Sequence, residues 1–166
     1  KYASEFKDNI YFSEPGSAIA TVSVNYGRST YNHTSKTTDS QKESTRKALL
    51  NKEFRQALNF AVDRSSYSAQ TNGTEGAAVA IRNTFTPYNL PVGDKQFGKL
   101  VEESLAKTNS GTWSNISLAD SQNGLYNEEK AKAAFAKAKE SLKAEGVEFP
   151  IHLDALTIQE STAVVN

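Results

Sequence analysis

The sequence predicts a mixed α/β (α+β) domain, a sheet with flanking helices. Three observations carry that expectation. Short runs that read as strands fall near the start and at 149–156, helical stretches with apolar residues at three- and four-residue spacing lie between them, and no tandem repeat or low-complexity segment imposes a period. A length of 166 residues is within the usual range for one domain and is enough to bury a sizeable core.

In chain order, Ile10 to Phe12 and Ile19 to Val24 read as strands, with Glu14-Pro15-Gly16-Ser17 supplying turn chemistry between them. Alternation in the second strand gathers Ile19, Thr21, Ser23 and Asn25 on one, mostly polar, face and Ala20, Val22, Val24 and Tyr26 on the other. Residues 26–38 are polar without a period and read as a loop. Ser40-Gln41-Lys42-Glu43 has the spacing of a capping box and starts a short helix that ends near Leu50. The stretch 49–64 follows as an amphipathic helix, with Leu50, Phe54, Ala57, Leu58, Ala61 and Val62 on its apolar face. Ser65 caps a further turn or two through Gln70, and Asn72-Gly73-Thr74-Glu75-Gly76 breaks it.

Pro87 and Pro91 bracket an irregular stretch, and Asp94 is placed to cap a helix carrying Phe97, Leu100, Val101 and Leu105 on one face. A long loop, 108–123, holds the only tryptophan, Trp113. Asn127 caps the next helix, with Glu128 and Glu129 in its positively polarised first turn and Ala131, Ala134, Phe135, Ala138 and Leu142 as its buried stripe. Gly146 ends that helix, Phe149 to Leu156 makes a strand, and Glu160 to Asn166 begins another helix.

Nineteen basic residues offset nineteen acidic ones, hydrophobic content is 37% and mean hydropathy is −0.58, which describes an ordinary polar surface and gives no indication of nucleic acid. Lys42, Arg46, Lys47 and Lys52 are interrupted by Glu43 and Glu53 and read as a solvated helical face. With no cysteine, the chain has no disulfide, zinc finger, thiol nucleophile or lipid-bearing Cys of its own. It begins with Lys1, contains no methionine, and shows neither a secretory signal nor the roughly 18 apolar residues of a membrane span. The expectation is a single piece, 1–166, of a larger product, which leaves its compartment open.

The run Arg55-Gln56-Ala57-Leu58-Asn59-x-Ala61-x-Asp63-Arg64 behind a loop resembles the helix that opens the second lobe of extracytoplasmic oligopeptide-binding proteins, the solute-capture subunits of ABC peptide importers (extracellular solute-binding protein family 5). The succession from Asp120-Ser121-Gln122-Asn123-Gly124-Leu125-Tyr126-Asn127 through Gly146 to Phe149-Pro150-Ile151-His152-Leu153-Asp154 is similar to the streptococcal Ami and Ali type of lipoprotein in particular. The resemblance runs from about Tyr2 to the last residue. It implies most of the second lobe of a periplasmic-binding-protein-like type II fold, without its C-terminal part. It further implies non-catalytic capture of oligopeptides, with no cofactor, and a membrane permease as partner of the intact parent on a Gram-positive cell surface. The alternative is an autonomous surface interaction domain presenting an adhesive or antigenic face.

Catalytic chemistry has little support. His33 and His152 are the only histidines and neither sits in a metal-ligand pattern. There is no nucleophile elbow and no Gly-rich phosphate loop, and adjacent acidic pairs such as Glu102/Glu103 diverge on a helix. Peptide binding is different, because an oligopeptide offers backbone donors and acceptors at every residue and asks for a strand edge and small polar groups. Thr21, Ser23 and Asn25 supply such a surface; the other reading of this face is simple solvent exposure, and the resemblance tips the choice to cleft lining. Trp113 is expected to anchor its loop, and Asp63 to fix the turn after its helix.

Overall fold

The computed structural model describes residues 5–11, 21–108 and 112–155. Among them the chain forms five α-helices and one small antiparallel sheet: α1 Asp39–Leu50, α2 Lys52–Ala61, α3 Arg64–Gly76, β1 Pro91–Val92, β2 Lys95–Gln96, α4 Phe97–Lys107 and α5 Glu128–Ala144. Mixed helix and sheet is therefore correct, with far less sheet than expected. The chain divides into two compact units, one comprising 1–19 and 64–125 and the other 20–63 and 126–166.

In the second unit, Thr38 begins α1 with a reciprocal capping box in which its hydroxyl accepts from Gln41 N at 3.2 Å and the Gln41 amide oxygen accepts from Thr38 N. The box thus sits two residues before the Ser40 start. Asn51 then divides what reads as one continuous helix: its backbone is extended, it closes α1, and its Oδ1 accepts from Phe54 N at 2.9 Å to open α2. Because of that break the apolar face shifts. Leu50 and Val62 are half exposed, whereas Phe60, outside the expected face, is fully buried.

Helix α2 packs on α5, whose Ala131, Ala134, Ala138 and Leu142 are buried as expected while Phe135 stays 40% exposed. Ala48, Phe54, Ala138, Leu142 and Val147 form the core, with Leu49, Leu58, Phe149 and Ile151 packed against it. Asn127 caps α5 through Lys130 N at 2.8 Å and donates its own N–H to Phe60 O. At the other end Gly146, at φ 73°, lets Val147 N reach Leu142 O and Gly146 N reach Lys143 O, the paired closure that a left-handed glycine permits.

The first unit is built on Ala77, Ile81, Tyr88 and Leu118. Helix α3 contains a break at Gly73, inside the expected breaker segment but with helical residues on either side. Asp94 does not cap α4; it lies in the turn between β1 and β2, and α4 starts after Gln96 with no side-chain cap. Phe97, Leu100, Val101 and Leu105 are half-buried along one face of α4. Gly98 approaches Tyr88 so closely that its N–H donates to Tyr88 O at 2.9 Å. The loop 112–123 has no helix or strand and is tied down by Asn83, whose amide donates to Ala119 O and Gln122 O, and by Ser121 N to Ile81 O. Trp113 is half-buried within it.

Three expected strands are not formed in the described residues. Ile10 and Tyr11 lie outside any element, residues 21–24 do so as well, and so do 149–155. Val22, expected to pack, is 98% exposed. The physical reason is pairing: an isolated strand leaves its backbone groups to water and is stable only against neighbours, and none of these segments is paired in a ladder among the described residues. The Glu14–Ser17 turn and the helix from Glu160 lie outside the described residues.

Candidate functional site

The three residues read as ligand-facing lie together at the entrance to a loop pinned by one carboxylate. Thr21, Ser23 and Asn25 are all exposed. Asn25 folds its Oδ1 back onto Gly27 N at 3.0 Å, which turns the chain and commits one of its acceptors. Thr21 and Ser23 follow no such local turn.

Beyond Gly27 the loop is held by Asp154. The Asp154 carboxylate accepts from Arg28, from Thr34 Oγ1 at 2.6 Å, from Ser35 N at 3.3 Å and from Lys36 Nζ at 2.6 Å. Arg28 also donates to Thr30 O at 2.7 Å and to Asn32 O at 3.1 Å, so the guanidinium draws its own loop into a ring. The side chains of Asp154 and Lys36 are nearly sequestered from water, at 9% and 3% exposure. Charge-assisted bonds from Lys36, Thr34 and Arg28 hold the Asp154 carboxyl well below the ordinary carboxylate range against the opposing cost of burial. Two cations lie over the Tyr31 ring, Arg28 at 4.7 Å and Lys42 at 5.2 Å from its centroid. Arg55, in turn, stands 5.5 Å from the Tyr26 ring while donating to Leu49 O and Leu50 O, which ties the start of the loop to the junction of α1 and α2.

This arrangement can present small polar groups to a ligand backbone from a segment whose downstream anchor is fixed. Nothing in it prepares a nucleophile or an acid–base pair, since the buried carboxylate is fully engaged with cations and hydroxyls. Among the described residues no group of three histidines or acidic side chains is gathered as a metal site. His33 is at φ 56° in the loop, and the backbone carbonyl of His152 accepts from Thr45 Oγ1 at 3.0 Å.

Reading the sequence missed Arg28, Lys36 and Asp154. Lys36 and Asp154 are 118 residues apart, and no local pattern links them. Asp63 is half-buried just ahead of α3, where Arg64 donates to Arg82 O at 3.0 Å and to Asn83 Oδ1.

The second feature of this unit is an apolar groove of about 560 Å³, lined by Phe54, Leu58, Phe135, Phe149, Pro150 and Ile151 among others. Its polar neighbour is Lys139, whose ammonium lies 5.9 Å from the Phe149 ring centroid.

No protein-family model matches the chain. Individual proteins do. Over 162 residues, 97% of this chain, it is 57% identical to the oligopeptide-binding protein AmiA of Streptococcus pneumoniae serotype 4, of which that stretch is 24%. It is 52% identical to the oligopeptide-binding protein SarA of Streptococcus gordonii over 99% of the chain and 25% of that protein. To the oligopeptide-binding protein AliA of the same pneumococcal strain it is 52% identical over 96% of the chain and 24% of that protein. The chain thus spans about a quarter of the length of the curated relatives it matches. Along nearly its whole length, this chain is related to one segment of the streptococcal oligopeptide-binding proteins.

Proposed function

We propose that the chain acts as part of a longer protein that captures oligopeptides outside the cell for uptake by an ABC importer. One observation carries this reading: identity of 52–57% to proteins named for oligopeptide binding, sustained over 96–99% of the chain. In this reading the chain is most of the second lobe of a two-lobed, type II binding-protein fold. Thr21, Ser23 and Asn25 border the peptide and offer hydrogen bonds to its backbone, and the Asp154-centred loop holds them in place. The protein binds and releases without catalysing a reaction, needs no cofactor, and hands its cargo to a membrane permease. Attachment to the cell surface is through a lipid-bearing segment elsewhere in the longer protein. No helix among the described residues is long and apolar enough to cross a membrane.

The direct test is to purify the longer protein under native conditions, denature it and read the released small molecules by mass spectrometry. A heterogeneous set of short peptides is expected. A preparation that releases none, and that gives no heat with a random peptide library, overturns the reading.

A further inference from the structure

We infer that the apolar groove between α2, α5 and 149–151 is a permanent internal seam of the longer protein, filled by an apolar segment from the part of the polypeptide outside this chain. The inference rests on the proposal that the chain works within a longer protein, and concerns how that protein is assembled, not what it carries.

The lining is the first argument. Phe54, Leu58, Phe135, Phe149, Pro150 and Ile151 give the groove aliphatic and aromatic walls, and among the described residues Lys139 is the one charged side chain in its lining. A site for a reversible ligand normally sets a few convergent polar groups in such walls to fix orientation. A surface with almost none resembles a core cut in half, as in obligate contacts. Secondly, Phe135 belongs to the otherwise buried stripe of α5 and lies 6.3 Å from the Phe54 ring, centroid to centroid, yet remains 40% exposed. Its stripe neighbours Ala131 and Ala138 are buried on either side, so the exposed ring marks where packing is incomplete rather than where the helix turns to water.

Length supplies the occupant. The relatives match this chain over only 24–25% of their own length, so most of each lies outside the matched stretch and is available to cover the groove. The groove wall also runs along the backbone: Phe149 to Ile151 forms one side and continues into 152–155, which the described residues leave without a strand neighbour. A segment that packs on Phe135 and Ile151 therefore also lies beside backbone that has no strand neighbour among the described residues, and both needs are met at once.

Because the chain contains no cysteine, single cysteines report the seam directly. Phe135→Cys probes the groove, and Lys137→Cys, roughly opposite on α5, is the exposed reference. Each is placed in the 166-residue chain and at the aligned position of the longer pneumococcal AmiA protein, and maleimide labelling is read by peptide mass mapping with and without added peptide. In the longer protein the groove cysteine is expected to react at least ~10-fold slower than the reference, with or without peptide, because only local opening exposes it. In the isolated chain the two should react alike at low protein concentration. Equal rates in the longer protein overturn the inference. Protection that appears only with peptide overturns it in favour of a ligand pocket. Protection in the isolated chain that is lost on dilution assigns the groove to a second copy and overturns it too. Loss of peptide binding alone, with the groove still protected, counts against the proposed function and leaves the seam standing.

Discussion

The Asp154 carboxylate and the Lys36 ammonium meet at 2.6 Å across 118 residues of sequence, and both side chains are nearly sequestered from water. A buried charge is costly unless paired, and removing one partner leaves the other uncompensated. Asp154→Ala is therefore expected to lower stability by about 3 kcal/mol. Lys36→Ala should cost less, because Arg28, Thr34 and Ser35 still serve the carboxylate. Urea unfolding of the two variants beside the parent checks the order.

The same pairing sets a pH dependence with a definite sign. The folded carboxyl of Asp154 is held well below its ordinary value, so its contribution is complete above about pH 4 and is lost as pH falls below that, toward the depressed folded value. The stability gap between the parent chain and Asp154→Asn should accordingly be full at pH 7 and narrower at pH 3. A gap that widens on acidification contradicts the pairing.

Gly98 offers a steric test in the other unit. A Cβ built there falls 1.9 Å from the Tyr88 ring, whose hydroxyl donates to Glu102 Oε1 at 3.2 Å. The ring cannot yield without giving up that bond, and Glu102 also accepts from Leu118 N at 2.7 Å. Gly98→Ala should thus cost about 1–3 kcal/mol, as overpacking does elsewhere. Thermal unfolding of the variant is the measurement.

Much of the helical frame was legible because its signals are local. Asn127 followed by Glu128 and Glu129, the alanine stripe of α5 and Gly146 sit within one helix length, and each marked what it was read to mark. Asn51 shows where local reading fails. The apolar spacing carried straight through it, but a side chain able to cap Phe54 N makes a break as favourable as continuity. Asp94 failed for a related reason, since a residue suited to a cap is equally suited to a turn. The strands at 21–24 and 149–155 were misjudged on different grounds: alternation reports what a strand would bury, whereas pairing depends on neighbours that no window of sequence contains. The Asp154 cluster was invisible for want of any local pattern at all.

Asn51 carries a prediction of its own. It caps α2 through Phe54 N and donates from Nδ2 to Ser141 Oγ at 3.0 Å, so it fixes both the start of α2 and its seat on α5. Asn51→Ala is expected to cost about 1–2 kcal/mol, at the upper end of the range for lost caps. Asn51→Asp keeps the acceptor and loses the donor, and should recover most of the stability. Should the two variants melt together, the contact to Ser141 rather than the cap is what matters.

The functional reading is most exposed at Ser23. It stands free of the turn that engages Asn25, it is solvent-exposed, and the segment around it has no strand partner among the described residues. A group placed in this way contributes little to folding, so Ser23→Leu should leave the unfolding midpoint of the longer protein nearly unchanged. If the segment borders the bound peptide, the same change removes a hydrogen-bonding group and adds bulk, and peptide affinity should fall by about 1–3 kcal/mol, the cost of leaving a buried partner unsatisfied. Asn25→Leu should do both, weakening binding and loosening the loop, because its Oδ1 holds Gly27 N. Calorimetry with one defined peptide, run beside thermal unfolding, separates the two effects. Unchanged affinity in Ser23→Leu would remove this segment from the peptide-binding surface and leave its exposed polar face to solvent alone.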